Sequence, residues 1–468
     1  MSITYELIRS WKDKTGNVNS MDDIFKWVAF RNNNLKVSIQ KVPFSYDGFW
    51  HYDEADGFIR NKNNSFFQLA GYQEIVDGQV VREQPVILQR EVGFLGILCQ
   101  MVDGELNFLM QAKVEPGNVN VIQISPTIQA TKSNFTQKHG GAVPAYLEYF
   151  KNAKKHTIVV DQLQSEQASR FLGKRNRNII VYVEEDEKID VLSSHKWMTL
   201  GQIKECMRYE NLVNMDSRTV LSCIPLSKEL LEPEEVEKCK ELFLDNAFFV
   251  SAFNGADLEK EHIIFNCLND YKMLNDTEYR VVPLKSLKSW NFTPDGIESK
   301  IPYDFRVIYC KIEIEGREVR RWEQPLVEAT GIALFGCLTT VDKGIRKYLI
   351  KVKPEVGSFD GAELGPTVQL ESLALKNKNK EFNKIDSFFV DQLEKKQNIL
   401  FDNLLSEEGG RFYHEQNRNV IIEIGSPEEA GVLPDGYFWV DYASINHMIQ
   451  FNNVVNIQLR NIMALMEI

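Results

Sequence analysis

The chain has 468 residues, 43% of them hydrophobic and 26% charged, with a formal net charge of −12. That composition describes a globular protein long enough for more than one core and excludes a nucleic-acid backbone as a general partner, because like charge opposes it. Seven scattered cysteines show no Cys-x-x-Cys pair and no adjacent histidine pair, and no long apolar run occurs, so a reducing compartment is expected and a structural zinc site and a membrane helix are not.

Met1 to Gly16 mixes charges with Ile3, Leu7, Ile8 and Trp11 at helical spacing and lacks the long apolar core of a secretion signal. Further on, Glu83-Gln84-Pro85 precedes an apolar run, Val92 to Met101, that reads as a strand. A turn at Asp103-Gly104 and a second run, Leu106 to Val114, make a hairpin. Glu115-Pro116-Gly117 is a breaker-rich loop, and Ser125-Pro126-Thr127-Ile128-Gln129 follows. The spacing from Gln162 to Arg175 predicts a helix, followed by a strand at Ile179 to Val183. Trp197 and two short amphipathic helices close the unit.

The text then repeats. Glu323-Gln324-Pro325 and Gly365-Pro366-Thr367-Val368-Gln369 each stand 240 residues beyond their first versions. Between them lie Gly331 to Thr340, Asp342-Lys343-Gly344, Arg346 to Val352 and Pro354-Glu355-Val356-Gly357, which predict the same hairpin and loop. Asp161-Gln162-Leu163 is echoed by Asp391-Gln392-Leu393, which predicts a second helix before Val420 to Ile424, and Asn176-Arg177-Asn178 by Asn417-Arg418-Asn419. Asn211, Val213, Asn214 and Arg218 are echoed by Asn453, Val455, Asn456 and Arg460, with Trp439 matching Trp197. A repeat this long is a duplicated domain, since solenoid units run to about 20–50 residues. The join falls between Pro225 and about Pro283, where Leu230 to Leu244 and Leu258 to Tyr271 read as charged helices without a Gly/Ser linker. Residues 1–225 and 226–468 are the expected domains, and the linker-free join predicts that they are docked on each other.

The copies diverge between Pro-Thr-x-Gln and Asp-Gln-Leu. The first has Ala130-Thr131-Lys132-Ser133-Asn134-Phe135-Thr136-Gln137-Lys138-His139-Gly140-Gly141; the second has Glu371 to Lys380, with no histidine and no glycine pair. Hydroxyls, an amide, a cation and an imidazole beside paired glycines point to chemistry in the N-terminal half. A turn-forming loop with a structural histidine is the alternative.

Together, Ser125 to Thr131, Ser133-Asn134, His139-Gly140-Gly141, Gln164-Ser165-Glu166-Gln167, Lys174-Arg175-Asn176-Arg177-Asn178 and Asn211 to Cys223 resemble the sugar-nucleotide 2,3-dehydratases. These enzymes remove the 2-hydroxyl of a dTDP-4-keto-6-deoxyhexose. The resemblance implies an α+β protein of two tandem Nudix-like domains, a cytoplasmic homodimer, and two nucleotide-sugar pockets per chain with the N-terminal one active. Phe135 and Gln137 depart from the family's usual tyrosine and arginine, so a contact there is absent or supplied elsewhere. The Nudix hydrolase box is missing, which disfavours metal-dependent pyrophosphate hydrolysis; a noncatalytic sugar-nucleotide binder is the other alternative.

Dehydration of a 4-keto sugar needs a base at C3, a donor for the enolate oxygen and an acid for the leaving hydroxyl, and neither metal nor redox cofactor. His139 is the first candidate base. Glu115 is the alternative acid or base, although Glu355 near the matching point indicates a framework role instead, and Lys132 is a candidate for the enolate or a phosphate. Thr127, Gln129, Thr131, Ser133 and Asn134 suit hydrogen bonds to the sugar, with Gly140 and Gly141 allowing close approach. Lys174, Arg175, Asn176 and Arg177 suit a diphosphate clamp, joined by Asn214 and Arg218, and Trp50 suits base stacking if it is not core. The second pocket would use Thr367, Gln369, Arg418 and Arg460, where the arginines fit phosphate sites or helix-terminus salt bridges equally.

Overall fold

The apolar run after each Glu-Gln-Pro forms the expected hairpin. Strand Phe94–Val102 pairs antiparallel with Glu105–Val114, and Leu334–Asp342 with Ile345–Pro354. Positive φ at Asp103 (49°) and Gly104 (81°), and at Lys343 (50°) and Gly344 (80°), gives each tight turn the twist that its flanking strands require. The computed structural model describes residues 1–45, 47–136, 142–316, 319–377 and 382–468.

Each hairpin lies in a mixed sheet of seven described strands. In the first, Arg175–Tyr182 runs parallel to Phe94–Val102 and carries Thr157–Ser165 antiparallel on its outer side. In the second, Gln416–Glu423 and Ile399–Ser406 take the same places beside Leu334–Asp342. The tryptophan strands His195–Met198 and Tyr437–Asp441 pair with the second hairpin strand in each half. Paired helices follow each: Leu200–Cys206 and Met215–Ser222, then Tyr442–Ile449 and Ile457–Met463. Thr199 and Gln202 form a capping box, and the Asn214 and Asn456 side chains accept from Ser217 N and Leu459 N, satisfying donors that a helix start leaves open.

The expected helix from Gln162 to Arg175 is absent. The β-branched run Thr157-Ile158-Val159-Val160 starts a strand instead, and long-range pairing with Arg175–Tyr182 overrides the local spacing. The second half does hold a helix, Lys384–Lys395, but strand Ile399–Ser406 intervenes before Gln416–Glu423. Its first-half counterpart is Leu147–Lys151: an added Cβ on Gly96 would meet the Phe150 ring at 2.4 Å, as one on Gly336 would meet Phe389 at 2.1 Å. Asp161-Gln162-Leu163 and Asp391-Gln392-Leu393 are therefore not counterparts, one being on a strand and the other on a helix.

Two further sheets join the halves by exchanging strands. Val37–Lys41 pairs with Phe305–Ile314 of the second half, and Glu278–Val282 pairs with Gln68–Val76 of the first. The expected helices at the join are present as Pro233–Leu242 and Leu258–Leu274. N-terminal helix Ile3–Lys12 buries Leu7, Ile8 and Trp11 in a core that continues to Ile445, Met448 and Leu459. No helix of the described residues is long and apolar enough to cross a membrane.

Each breaker-rich loop meets a long loop of the other half. Gly117 N donates to Gly409 O and Gly357 N to Ala168 O, both at 2.7 Å. A Cβ on Gly117 would sit 1.6 Å from Phe412 O, and one on Gly357 would sit 1.6 Å from Phe171 O. Phe171 and Phe412 then pack edge to face at 5.8 Å. Because backbone atoms cannot yield at that distance, Gly117→Ala or Gly357→Ala is expected to cost about 1–3 kcal/mol or more, read as a fall of several degrees in Tm by calorimetry.

Candidate active site

A cavity of about 980 Å³ lies beside the first hairpin and takes its lining from both halves. Its framework starts at Gln129 on the short strand Ile128–Ala130. The Gln129 side chain donates to Glu115 Oε1 at 3.0 Å and accepts from Asn214 Nδ2 at 3.2 Å, while Lys113 Nζ donates to its carbonyl at 2.9 Å. Since Asn214 also caps helix Met215–Ser222, this chain of amides fixes the helix start and brings Asp216, in its first turn, to the cavity. Asp216 is 1% exposed, and neither of its carboxyl oxygens has a hydrogen-bond partner.

The loop before strand Arg175–Tyr182 supplies a cation. Lys174 Nζ donates to Glu91 O at 2.7 Å and to Arg175 O at 3.0 Å, and also to Asn176 Oδ1. Asn176 Nδ2 in turn donates to Glu166 Oε1 at 2.7 Å. The corresponding loop of the second half reaches into the same cavity with Glu408 and Arg411. Arg411 donates from Nε and Nη2 to Gln89 Oε1 at 3.1 and 2.9 Å and stacks on Phe66 at 4.0 Å; its Nη1 lies 3.9 Å from Glu408 Oε1.

Crowding acids away from water favours their neutral forms. Burial raises Asp216 well above the usual carboxylate range, and Glu166, Glu408 and Glu115 add to the rise. Glu408 is pushed up to about 7, chiefly by burial and against the pull of Arg411. Burial lowers Lys174 to about 8, with Glu166 opposing. Among the described residues, no three His, Cys, Asp or Glu side chains are grouped to share a metal ion.

A second cavity, of about 1230 Å³, repeats part of this framework. Gln369 donates to Glu355 Oε1 at 2.8 Å and accepts from Asn456 Nδ2 at 2.9 Å. The long loops correspond as well, since Ile87 N donates to Arg170 O and Val327 N to Arg411 O. By these correspondences Gln458 stands for Asp216, Gln167 for Glu408, Glu415 for Lys174 and Glu371 for Thr131. Arg170, the counterpart of Arg411, is paired with Glu371 at 3.3 Å.

Of the sequence candidates, Trp50, Glu115, Gln129, Thr131, Asn134, Lys174 and Asn176 line the first cavity. Trp50 is nevertheless core, 4% exposed and packed on Phe67 at 4.6 Å. Thr127 stitches the sheet, accepting from Leu98 N and donating to Leu109 O, and Thr367 does the same with Leu338 N and Leu349 O. Ser133 is held by Glu91 Oε2 through both its N–H and its hydroxyl, and Lys132 is exposed outside the lining. Arg175 stacks on Phe359, and Asn214 works through the Gln129 side chain. Gln369 alone of the second-pocket candidates lines the second cavity. His139, Gly140 and Gly141 lie outside the described residues.

The paired arginines serve the framework. Arg177 forms a two-bond pair with Asp161, both at 2.6 Å, and Arg418 does so with Asp402 at 2.7 and 2.6 Å, so Asp402 is the counterpart of Asp161. Arg218 donates to Val213 O at 2.7 Å and across to Ser406 O at 2.8 Å; Arg460 donates to Val455 O and across to Ser165 O at 2.5 Å. Both are buried, at 2% and 0% exposure, and tether one half to the other. The residues that sequence reasoning passed over are Lys113, Asp216, Glu408 and Arg411. An acid-for-amide difference between copies, Asp216 against Gln458 and Glu408 against Gln167, was the signal available for two of them.

The sequence pattern of the NDP-hexose 2,3-dehydratase family matches the chain twice, over residues 21–224 and 262–466. A dTDP-4-dehydro-6-deoxy-alpha-D-glucopyranose 2,3-dehydratase from Saccharopolyspora spinosa is 35% identical over 94% of this chain and 89% of its own length. Proteins of the same description from Amycolatopsis orientalis and Streptomyces violaceoruber are 32% and 34% identical, covering 95% and 94% of this chain and 89% and 95% of their own.

The arginine geometry predicts opposite sensitivities. Arg460→Met leaves several buried carbonyls without donors, each worth about 1–3 kcal/mol, and should lower stability strongly. Arg177→Ala breaks a pair about one-third exposed on each side and should cost at most about 1 kcal/mol, as equilibrium denaturation of the two variants would record.

Proposed function

The chain belongs to the NDP-hexose 2,3-dehydratase family, and we propose that the cavity lined by Lys174, Asp216, Glu408 and Arg411 is where it works. It is a lyase that removes the C2 hydroxyl of an NDP-4-keto-6-deoxyhexose, with dTDP-4-keto-6-deoxy-D-glucose as substrate. One observation carries this placement: two cations suited to a diphosphate share a single cavity with carboxyls suited to moving protons.

The carbonyl at C4 makes the C3 proton acidic. Loss of that proton gives an enolate, and expulsion of the C2 hydroxyl as water gives an enol that relaxes to the 3,4-diketo-2,6-dideoxy sugar. Lys174 and the planar guanidinium of Arg411 suit the phosphate oxygens, and the half-exposed Phe49 offers a face to the base. Gln129, Thr131, Asn134 and Asn176 offer hydrogen bonds to the sugar. Lys113, held against the Gln129 carbonyl, places positive charge in the same lining.

Taking residues 1–225 and 226–468 as the two repeats, we read each as Nudix-like; the mixed sheet with one parallel pair and helices beside it supports that reading. The second cavity is then a secondary or vestigial nucleotide-sugar pocket, because Glu415 replaces Lys174 and Glu371 already holds Arg170. A cytoplasmic homodimer completes the reading, and the seven free thiols support a reducing compartment.

Incubation with dTDP-4-keto-6-deoxyglucose and o-phenylenediamine, which captures adjacent ketones, tests the reaction. Mass spectrometry should show loss of one water and the captured diketone, or free dTDP from its breakdown. A substrate of unchanged mass would contradict the assignment.

A further inference from the structure

Apart from Glu313, which pairs with Arg321, the exposed Glu323 and Glu91, which holds Ser133, four carboxyl groups lie in or beside the first cavity, and their counterparts separate them. Glu115 corresponds to Glu355, and each accepts from the glutamine of the Gln-to-Asn amide chain, Glu355 also from Asn456. Glu166 corresponds to Glu407, and each accepts from the first asparagine of Asn-Arg-Asn, at 2.7 Å in both cases. These two acids belong to the framework shared by both halves. Asp216 and Glu408 do not, because Gln458 and Gln167 replace them in the other half.

Their settings differ in a useful way. Asp216 is fully buried with both oxygens unpartnered where it meets the cavity, the condition of a neutral acid with a proton to give. Glu408 is 17% exposed at its side chain and has the Arg411 guanidinium 3.9 Å away, which opposes its burial and keeps a carboxylate able to receive one within reach. An amide can neither donate an acidic proton nor remove one from carbon.

Resting on the functional reading above, we propose that Glu408 and Asp216, one from each half, are the proton-transferring pair of the first cavity. The C3–H bond breaks with its proton passing to the Glu408 carboxylate and its electron pair delocalising onto the C4 oxygen. Collapse of the enolate forms the C2=C3 bond and breaks C2–O, and the departing hydroxyl takes the Asp216 proton and leaves as water. The Glu408 carboxylic acid then protonates C2 while the Asp216 carboxylate takes the enol proton from the C3 oxygen. Both groups return to their starting states, and the repeat, with amides in place of both acids, has no such pair.

The test uses the full chain with Glu408→Gln, Asp216→Asn and the conservative Glu408→Asp and Asp216→Glu. Turnover should fall about 10²- to 10⁴-fold in each amide variant, with dTDP affinity and Tm retained and part of the rate restored by the conservative variants. In D₂O, Glu408→Gln should also lose exchange of the C3 hydrogen in recovered substrate. Asp216→Asn should keep that exchange, since enolate formation precedes the step it lacks. Wild-type turnover from either amide variant overturns its assignment, as does a loss of rate matched by equal losses of Tm and dTDP binding. A wild-type chain that leaves the substrate intact overturns the functional reading as well, whereas wild-type turnover with active variants overturns the assignment alone.

Discussion

Everything at the site depends on the contact where each half's long loop is held by the other half's breaker loop. Gly117 receives the loop that follows strand Ile399–Ser406, and Gly357 receives the loop that follows Thr157–Ser165. No side chain fits at either glycine, so the two backbones lie directly against each other. Buried Arg218 and Arg460 then secure the carbonyls of Ser406 and Ser165, the last residues before those loops. The consequence is that Glu408 and Arg411 come to a cavity that Lys113, Gln129, Lys174 and Asp216 of the first half also line. A tandem duplication thereby gives two cavities lined by both halves instead of two self-contained ones.

This arrangement also explains how the sites diverged while the fold did not. The amide chain from Asn214 to Gln129 to Glu115 recurs as Asn456 to Gln369 to Glu355, because it positions a helix start and a strand in both halves. Asp216, Glu408, Lys174 and Thr131 line the first cavity, and Gln458, Gln167, Glu415 and Glu371 take their places in the repeat, Glu371 alone of them lining the second cavity. A buried acid without partners opposes folding, so retaining Asp216 in that state is a cost to stability.

Local signals in the sequence were legible. The hairpins, their turns, the loops at Gly117 and Gly357 and the capped helices after Trp197 and Trp439 all depend on residues close in sequence. The strand Thr157–Ser165 was not legible, because its conformation is decided by pairing with a segment beyond a loop. Arg218 and Arg460 fitted phosphate sites and helix-terminus salt bridges equally for the same reason: the carbonyls they hold belong to the opposite half. Comparing the copies pointed to the divergent segment after Pro-Thr-x-Gln, and Thr131 and Asn134 do line the cavity. The same comparison, carried on to Asp216 and Gln458, would have found the unpartnered acid. Glu408 lay further out of reach, since nothing local to the C-terminal half says that its loop serves the other cavity.

The central claim is that the C-terminal half completes the first cavity, and Arg411 tests it most directly. Titration calorimetry of dTDP against the wild-type chain and Arg411→Met measures whether that guanidinium meets the diphosphate. A charge-assisted hydrogen bond contributes about 1.5–3 kcal/mol, so the account predicts a loss of about tenfold or more in the affinity of the productive site. Unchanged affinity, in a variant whose Tm shows that it is folded, would contradict a shared cavity.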